Sequence, residues 1–421
     1  MPSRDAMSDD LAAKARKAFD AALTAAAPGR VMAPALAALP NPPDAILAIG
    51  KAGCAMARAC RDHGLNAPGL IITNAENAHH VDGFELIEGG HPLPDQGSLA
   101  GAGAAMELAR RMEGGEHLLV LLSGGGSALM AEPIGNLGLS HKRMMNESLL
   151  ASGLDIHRMN AVRRLFSAVK GGRLAALAAP AKVTQWVLSD VPGDHLESIA
   201  SGPFAPDPWP LEEACAYVIE AGIDRFDWAR DVLAAMKKGE LQQPLRPSDS
   251  VFDHIESRIL ASNAICVEAA GQNLGGDIHT LPELSGDAVE MGRLLARHVL
   301  AAQNHPYVAA TGGETTVCLP AGHGLGGRSQ ALALSFMLAM PEEAGFNWVL
   351  LAAGTDGRDG PTDAAGGLVS SAMTFERKYA EAALKAHDSY TFLDSIGALL
   401  RCPPTGTNLG DIVVIITADT T

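Results

Sequence analysis

The sequence lacks the features that would identify a membrane, secreted or zinc-binding protein. No apolar run approaches the roughly 20 residues that a membrane span needs. The six cysteines lie far apart and form no CxxC motif, which predicts reduced thiols in the cytoplasm and argues against a zinc site. The opening segment, MPSRDAMSDD, is acidic and contains no apolar stretch, so we expect no secretory signal.

Basic charge is also scarce. The chain has 48 acidic and 32 basic residues and a formal charge of −16, which disfavours nucleic acids and anionic membranes as partners. An anionic small molecule would need a local cluster of lysine and arginine.

With 421 residues, the chain exceeds the size at which one core stops growing, so we expect two domains. The polar, proline-containing stretch 239–250 places them at 1–245 and 246–421.

Short apolar runs that end in glycine turns alternate with alanine-rich segments along both halves. The runs that predict strands lie at 44–53, 69–74, 118–123, 183–190, 257–262, 279–284, 307–315, 347–357 and 411–417. Helices are predicted over 9–27, 101–112 and 157–178, the first of them capped by Ser8. This alternation is typical of an α/β protein with a doubly wound sheet.

The segment 118–129, LLVLLSGGGSAL, joins a buried strand to a helix through an unusually bare turn. The turn consists of Ser123, Gly124, Gly125, Gly126 and Ser127. Backbone N–H groups at a helix start favour anions, and glycine lets a phosphate approach the main chain. A tight turn without a ligand would explain the pattern equally well. Leu129 replaces the third glycine of GxGxxG and no Walker lysine follows, so the ligand remains unnamed.

Six other glycine turns carry charged or polar residues. Lys51 is flanked by apolar residues on both sides, so its charge is expected to need an anion. The planar guanidinium of Arg328, in GHGLGGRSQ, suits phosphate or carboxylate. The remaining turns contribute Asp190, Asp194, Gly312, Gly313, Glu314, Asp356 and Asn408. Surface loops would explain each turn singly, but together they match phosphoryl transfer, which needs N–H groups and cations for phosphates and carboxylates for Mg²⁺ and the attacking hydroxyl.

Two further groups of residues are expected to have other roles. Four basic residues lie on or just after one predicted helix: Arg163, Arg164, Lys170 and Arg173. Structural or solvated roles are favoured for most of them. The exceptions are Lys170 and Arg173, which lie beside Gly171–Gly172. The histidines at 79, 80 and 91 do not favour a metal site, because the first two are adjacent and point apart and the third belongs to a turn.

Nine motifs occur in one order along the chain: AIGKAG, GGHPLPD, SGGGSAL, MNAVRRLFSAVKGGRLA, LSDVPGD with SIASGP, ATGGETTV, GHGLGGRSQ, AAGTDGRDGPTDAAG and PTGTNLGD. In this order they resemble the class of glycerate 2-kinases that ends in a MOFRL domain. The resemblance extends from about residue 9 to residue 417.

This resemblance implies phosphorylation of the 2-hydroxyl of D-glycerate by ATP and Mg²⁺, giving 2-phosphoglycerate. It also implies a Rossmann-like, three-layer N-terminal domain, a smaller C-terminal MOFRL α/β domain and an active site in the cleft between them. Lys51 and Arg328 match the family's catalytic residues, and Asp190 matches an aspartate that acts as base or metal ligand. We therefore expect the turn from Ser123 to Ser127 to bind ATP phosphates. Further expected contacts to the cofactor are Gly312, Gly313, Glu314 and Asn408, and the expected metal ligands are Asp190 and Asp194.

Two other functions stay open. An NAD(P)H-dependent hydroxypyruvate reductase would need a GxGxxG after an early strand, and Lys51 and Ala52 interrupt that pattern. A non-catalytic sensor of a phosphorylated metabolite would need the cations and glycine turns but not the carboxylates. The sequence does not fix the oligomeric state, and a homodimer stays open.

Overall fold

The computed structural model describes residues 4–302 and 306–420, which form two compact units. We call Met32–Ser189 with Gly193–Leu260 the parallel unit. The mixed unit consists of the chain up to Val31, Asp190–Pro192 and the chain from Ala261 onward. The parallel unit therefore ends at residue 260, and the mixed unit continues from residue 261. The domain bounds 1–245 and 246–421 stay a prediction.

The parallel unit contains a six-stranded sheet. Its strands are β1 (Ala45–Ile49), β2 (Gly69–Thr73), β3 (Phe84–Glu88), β4 (His117–Leu122), β5 (Lys182–Leu188) and β6 (Ile255–Ala261). They are ordered β3-β2-β1-β4-β5-β6, and every pairing from β3 to β5 is parallel. The order reverses between β1 and β4, and open α/β sheets bind ligands at the carboxyl ends of the strands at such a switch point.

Helices complete the parallel unit: α2 (Pro28–Ala37), which begins just before it, α3 (Gly53–Asp62), α4 (Gln96–Arg111), α5 (Gly126–Leu129), α6 (Leu139–Ala151), α7 (Ile156–Leu165), α8 (Arg173–Ala178), α9 (Leu211–Glu220) and α10 (Asp227–Lys237). Strand β1 is buried along its whole length, which explains why its sequence is continuously apolar. A separate apolar core joins α6 and α7 to α9 and α10 through side chains such as Leu149, Val162 and Val218.

The mixed unit also contains six strands: β7 (Ile278–His279), β8 (Val308–Gly313), β9 (Phe346–Gly354), β10 (Gly366–Ser370), β11 (Leu399–Leu400) and β12 (Asp411–Asp419). Their order is β11-β10-β9-β12-β8-β7, and β12 pairs antiparallel with both β8 and β9. The α/β class is confirmed, but this second sheet is mainly antiparallel and not doubly wound.

The helices of the mixed unit are α1 (Arg4–Ala26), α11 (Asn263–Leu274), α12 (Ala288–Ala301), α13 (Arg328–Ala339), α14 (Arg377–Lys385) and α15 (Ser389–Ser395). Helix α1 packs against α11 and strand β9, and its apolar stripe, which includes Ala15, Phe19 and Ala22, is fully buried. On another side of the unit, α12 and α13 share a core with strands β9 and β12.

Most predicted elements are confirmed, with three corrections. Ser8 lies inside α1 and is buried, so it does not cap the helix. The segment 157–178 is not one helical stretch, because Gly171 and Gly172 have φ of 59° and 77° and separate α7 from α8. The predicted strand 279–284 is reduced to β7, since Pro282 cannot donate a ladder hydrogen bond.

No described helix has the length and apolar character that crossing a bilayer requires. All six cysteines are free, and Cys54, Cys60, Cys215 and Cys266 are buried, as expected for small apolar side chains.

Candidate active site

The turns that follow β1 and β4 are joined by hydrogen bonds at the switch point of the parallel sheet. Lys51 N donates to Gly124 O at 2.9 Å, and Ala52 N donates to Ser123 Oγ at 3.0 Å. Ser123 is fully buried, so its hydroxyl connects the two turns. The predicted phosphate turn and the predicted catalytic lysine are therefore brought together by the fold.

Gly50 makes this junction sterically possible. Its φ is 119°, and a Cβ there would lie 2.3 Å from Ser123 Oγ and 2.5 Å from Ser123 O. Gly64, in the same unit, has φ 88°, but a Cβ at that position would have no atom within 4 Å.

We expect Gly64→Ala to cost about 1–2 kcal/mol of unfolding free energy from backbone strain alone. Gly50→Ala should cost at least twice as much, because the strain is joined by a clash. Urea denaturation of both variants measures this, and equal losses would contradict the packing argument.

The turn after β4 presents four backbone donors. Within residues 4–302 and 306–420, the N–H groups of Gly124, Gly125, Gly126 and Ser127 donate no hydrogen bond. Helix α5, which follows, has only four residues, so the donors themselves matter more than a helix dipole. Successive unpaired N–H groups form a concave anion-binding arrangement.

Two side chains lie beside this turn. A Cβ on Gly125 would lie 3.1 Å from His91 Cδ2 and 3.3 Å from Lys51 Cγ. Lys51 is therefore a neighbour of the unpaired N–H groups. His91, which sequence reasoning treated only as a turn residue, is placed against the same glycine. The one sequence feature that could have indicated a role for His91 in the site was its position in the motif GGHPLPD.

In the mixed unit, Arg328 is held by two carboxylates. Arg328 Nε lies 2.7 Å from Asp411 Oδ2, Nη2 donates to Asp411 Oδ1 at 3.2 Å, and Nη1 donates to Glu314 Oε1. Arg328 is the first residue of α13. Asp359 fixes that helix start by accepting from Ser329 N at 3.1 Å and Gln330 N at 2.7 Å.

Burial governs the electrostatics of this cluster. It raises the pKa of Asp411 to about 6, although the neighbouring Arg328 lowers it. Burial and the charge of Asp411 raise the pKa of Asp359 to about 7. For Arg328, burial lowers the pKa, but the attraction of Asp411 and Glu314 outweighs it, and the net shift is upward. Arg328 therefore stays charged while the two buried aspartates titrate near neutrality. Sequence reasoning missed both aspartates, although a charged residue opening the apolar run DIVVIIT was a signal for Asp411.

The other residues predicted in the mixed unit have defined surroundings. Asn408 Nδ2 donates to Asp190 Oδ2 at 2.8 Å, so these two predicted site residues are in contact. A Cβ on Gly312 would lie 1.8 Å from Asn263 Oδ1, and one on Gly313 would lie 2.3 Å from Leu284 O. Close packing therefore explains why glycine occupies both positions. That these glycines contact the cofactor stays a prediction.

Across the part of the chain that the structure describes, no three His, Cys, Asp or Glu side chains are arranged to hold a metal ion. His80 pairs with Asp82 at 2.9 Å on the surface. The metal-binding roles of Asp190 and Asp194 remain predictions.

The fold and these clusters define a two-unit α/β protein with a cationic, N–H-rich turn at the switch point of its parallel sheet. Residues 14–237 match the family described as a domain of unknown function, DUF4147, and residues 307–411 match the MOFRL family. The chain belongs to the DUF4147 family, joined to a MOFRL domain, and the resemblance to glycerate 2-kinases of this type is confirmed.

Several named proteins are similar over most of their length. The D-glycerate 2-kinase of Thermotoga maritima is 36% identical, with 88% of this chain and 89% of that protein aligned. A protein of Agrobacterium vitis named hydroxypyruvate reductase is 37% identical, over 95% of this chain and 93% of its own. The crystal structure of a glycerate kinase from Thermotoga maritima superposes with a TM-score of 0.83 at 32% identity, covering 97% of this chain and 99% of that one.

Proposed function

We propose that this protein is a glycerate 2-kinase, which transfers the γ-phosphoryl group of ATP to the 2-hydroxyl of D-glycerate. The observation that carries the proposal is the junction of the turns after β1 and β4, where Lys51 adjoins four unpaired N–H groups. This arrangement suits phosphate oxygens. The relatives named glycerate 2-kinase support the choice of reaction.

Phosphoryl transfer depends mainly on positioning and on stabilising negative charge. The N–H groups from Gly124 to Ser127 bind phosphate oxygens. Lys51 and Arg328 neutralise charge on the transferred group and on the carboxylate of glycerate. The 2-hydroxyl oxygen attacks the γ-phosphorus, the bond to the β–γ bridging oxygen breaks, and the hydroxyl proton passes to the carboxylate of Asp190. Asn408 orients that carboxylate through its 2.8 Å hydrogen bond.

Mg²⁺, when bound, supplies positive charge to the phosphates and helps to orient them. Asp190 and Asp194 are the proposed ligands. Their hard carboxylate oxygens suit this ion, and one or two protein carboxylates suffice because phosphate oxygens and water complete its coordination.

The proposal is tested by a coupled ADP-release assay with Mg-ATP and D-glycerate, in which the products are resolved as 2- or 3-phosphoglycerate. ADP release that depends on glycerate, with 2-phosphoglycerate as product, is expected. Formation of 3-phosphoglycerate would contradict the regiochemistry. Oxidation of NADH by hydroxypyruvate without ADP release would favour the reductase, and ligand binding without turnover would favour a sensor.

Asp190→Asn is expected to lower kcat about a hundredfold or more, because the amide cannot accept the hydroxyl proton. The shape of the side chain and an oxygen acceptor for Asn408 are retained, so the fold around this position should be preserved. Asn408→Ala should lower kcat less, by about tenfold, since the carboxylate loses only its orientation. Steady-state kinetics distinguish these cases, and an Asp190→Asn enzyme with normal kcat would exclude Asp190 as the base.

A further inference from the structure

Three basic side chains of the parallel unit lie near one another, largely withdrawn from solvent, and one of them contacts the phosphate turn. Lys142 of α6 is 9% exposed and Lys170 is fully buried, while Arg163 of α7 is half-buried. Lys170 Nζ donates to Ser127 O at 2.7 Å and also to Ser127 Oγ, which lies 2.9 Å from Ser201 Oγ. Lys170 thereby fixes the last residue of the turn. Burial excludes a solvated role for Arg164, and Lys170 and Arg173, which were predicted to be exceptions, are buried as well.

These three cations have no acidic counterpart. Among residues 4–302 and 306–420, no carboxylate forms an ion pair with any of them, and Lys142 Nζ has no hydrogen bond. In the part of the chain that the structure describes, Arg163 donates hydrogen bonds only to amide oxygens, those of Asn146 at 3.4 Å and Asn160 at 3.1 Å.

The neighbouring arginines show how this protein stabilises a buried cation that has a structural role. Arg164 Nε lies 3.1 Å from Asp207 Oδ2, and both side chains are 1% exposed. Arg173 donates to Arg164 O at 2.6 Å and to Gln242 O at 2.7 Å. Asp207 is thus engaged by Arg164 and is not the partner of Lys142, Arg163 or Lys170.

The three cations also act on one another. Burial and the charge of Arg163 lower the pKa of Lys142 to about 8. Burial, followed by the charges of Lys142, Arg163 and Arg164, lowers the pKa of Lys170 far below its usual value. Clustering such charges away from water is unfavourable without an anion. The fold therefore places three basic groups, whose charged forms an anion would stabilise, close to one another, and Lys170 joins them to the turn of unpaired N–H groups.

We propose that Lys142, Arg163 and Lys170 form a polyphosphate-binding cluster that receives the phosphate chain of the nucleotide at the turn Gly124–Ser127. This inference rests on the proposed kinase function and names further residues of the same site. Lys142 and Arg163 contact the phosphates, and Lys170 is a positioning residue that acts through Ser127. A phosphate chain, which carries several negative charges, matches two basic side chains and four N–H donors better than the single charge of a carboxylate does.

The test is calorimetric binding of ATP, inorganic tripolyphosphate and D-glycerate to the full chain, without Mg²⁺. Lys142→Met and Arg163→Gln are each expected to weaken binding of ATP and tripolyphosphate about tenfold to a hundredfold, the range for a lost charged hydrogen bond. Binding of D-glycerate should not change. The matched control is Arg143→Gln, which removes the exposed cation next to Lys142 on α6 and should bind all three ligands as the wild type does.

A second measurement separates a binding role from a folding role. Without ligand, Lys142→Met should melt no lower than the wild type, because an unpaired buried charge has been removed. Lower melting temperatures together with wild-type affinities would make the cluster structural and overturn the proposal. Loss of affinity confined to D-glycerate would assign the cluster to the substrate carboxylate, which also overturns it.

The failures of the two proposals are distinguishable. If the wild type forms 2-phosphoglycerate but the variants bind tripolyphosphate normally, only the cluster assignment fails. If the wild type binds tripolyphosphate through the cluster but forms no product, only the kinase function fails.

Discussion

Lys51→Ala is expected to lower kcat for the formation of 2-phosphoglycerate by about a thousandfold. Lys51 adjoins the turn whose N–H groups are unpaired, and phosphoryl transfer is catalysed chiefly by charges placed at the developing negative charge. A missing cation there removes stabilisation that water cannot replace. Lys51→Arg should recover only part of the rate, since the longer planar guanidinium places its charge differently.

The control for Lys51→Ala is Lys238→Ala, which removes an exposed lysine at the end of α10. Its kcat should stay within about twofold of the wild type, because exposed charges far from a reaction are screened. Steady-state kinetics, with melting temperatures to verify folding, measure both variants. Near-normal turnover by a folded Lys51→Ala enzyme would remove Lys51 from the mechanism.

Arg328→Gln is expected to reduce kcat by about a thousandfold or more, the scale of a missing arginine in other phosphoryl transfers. This variant should also lose about 3–5 kcal/mol of unfolding free energy at pH 8, because Asp411, 3% exposed, is left as a buried unpaired charge. The loss of activity and the loss of stability therefore have separate causes.

The stability loss should depend on pH in a defined direction. The folded pKa of Asp411, about 6, lies above its ordinary value near 4, so the folded state binds the proton more tightly than the unfolded state. Stability from this group is gained as the pH falls through 6 toward 4. Without Arg328 the pKa rises further, and at pH 5 Asp411 is neutral. The deficit of Arg328→Gln relative to the wild type should therefore be large at pH 8 and small at pH 5.

A double variant separates the two causes. Arg328→Gln combined with Asp411→Asn should recover most of the stability at pH 8 but none of the activity, because the buried charge is gone while the catalytic cation is still missing. Urea denaturation at both pH values, alongside the coupled assay, checks this. A deficit that is equal at pH 5 and pH 8 would contradict the role given to Asp411.

Sequence patterns predicted the elements around the switch point because two strong local signals coincide there. Continuous apolar runs identify buried strands, and glycines mark the turns after them. Lys51 and Arg328 stood out because a charge beside glycines, in apolar surroundings, is unusual. The pattern predicts that Ser123 binds the ligand as part of the same turn, and this stays a prediction; it does not show that the buried hydroxyl joins the two turns.

Other features depend on tertiary structure that local patterns do not encode. The amphipathic stripe of α1 predicts a helix but not the sheet against which it packs, which lies in the mixed unit. Glycine turns and apolar runs do not specify strand direction, so the antiparallel pairing of β12 was not foreseen. Helix-surface lysines and buried ones have the same sequence signature, and for this reason Lys142 was not singled out.

The position of α1 has a consequence for synthesis on the ribosome. Its packing partner α11 begins at Asn263, roughly 240 residues after α1 ends at Ala26. At about 5–20 residues per second, the apolar face of α1 waits roughly 10–50 s for that partner to be translated. Strand β12, which lies between β9 and β8 and also contacts α1, is synthesised later still. The nascent chain therefore exposes the apolar face of α1 until these partners have been synthesised, and we expect chaperones to bind that face during this interval.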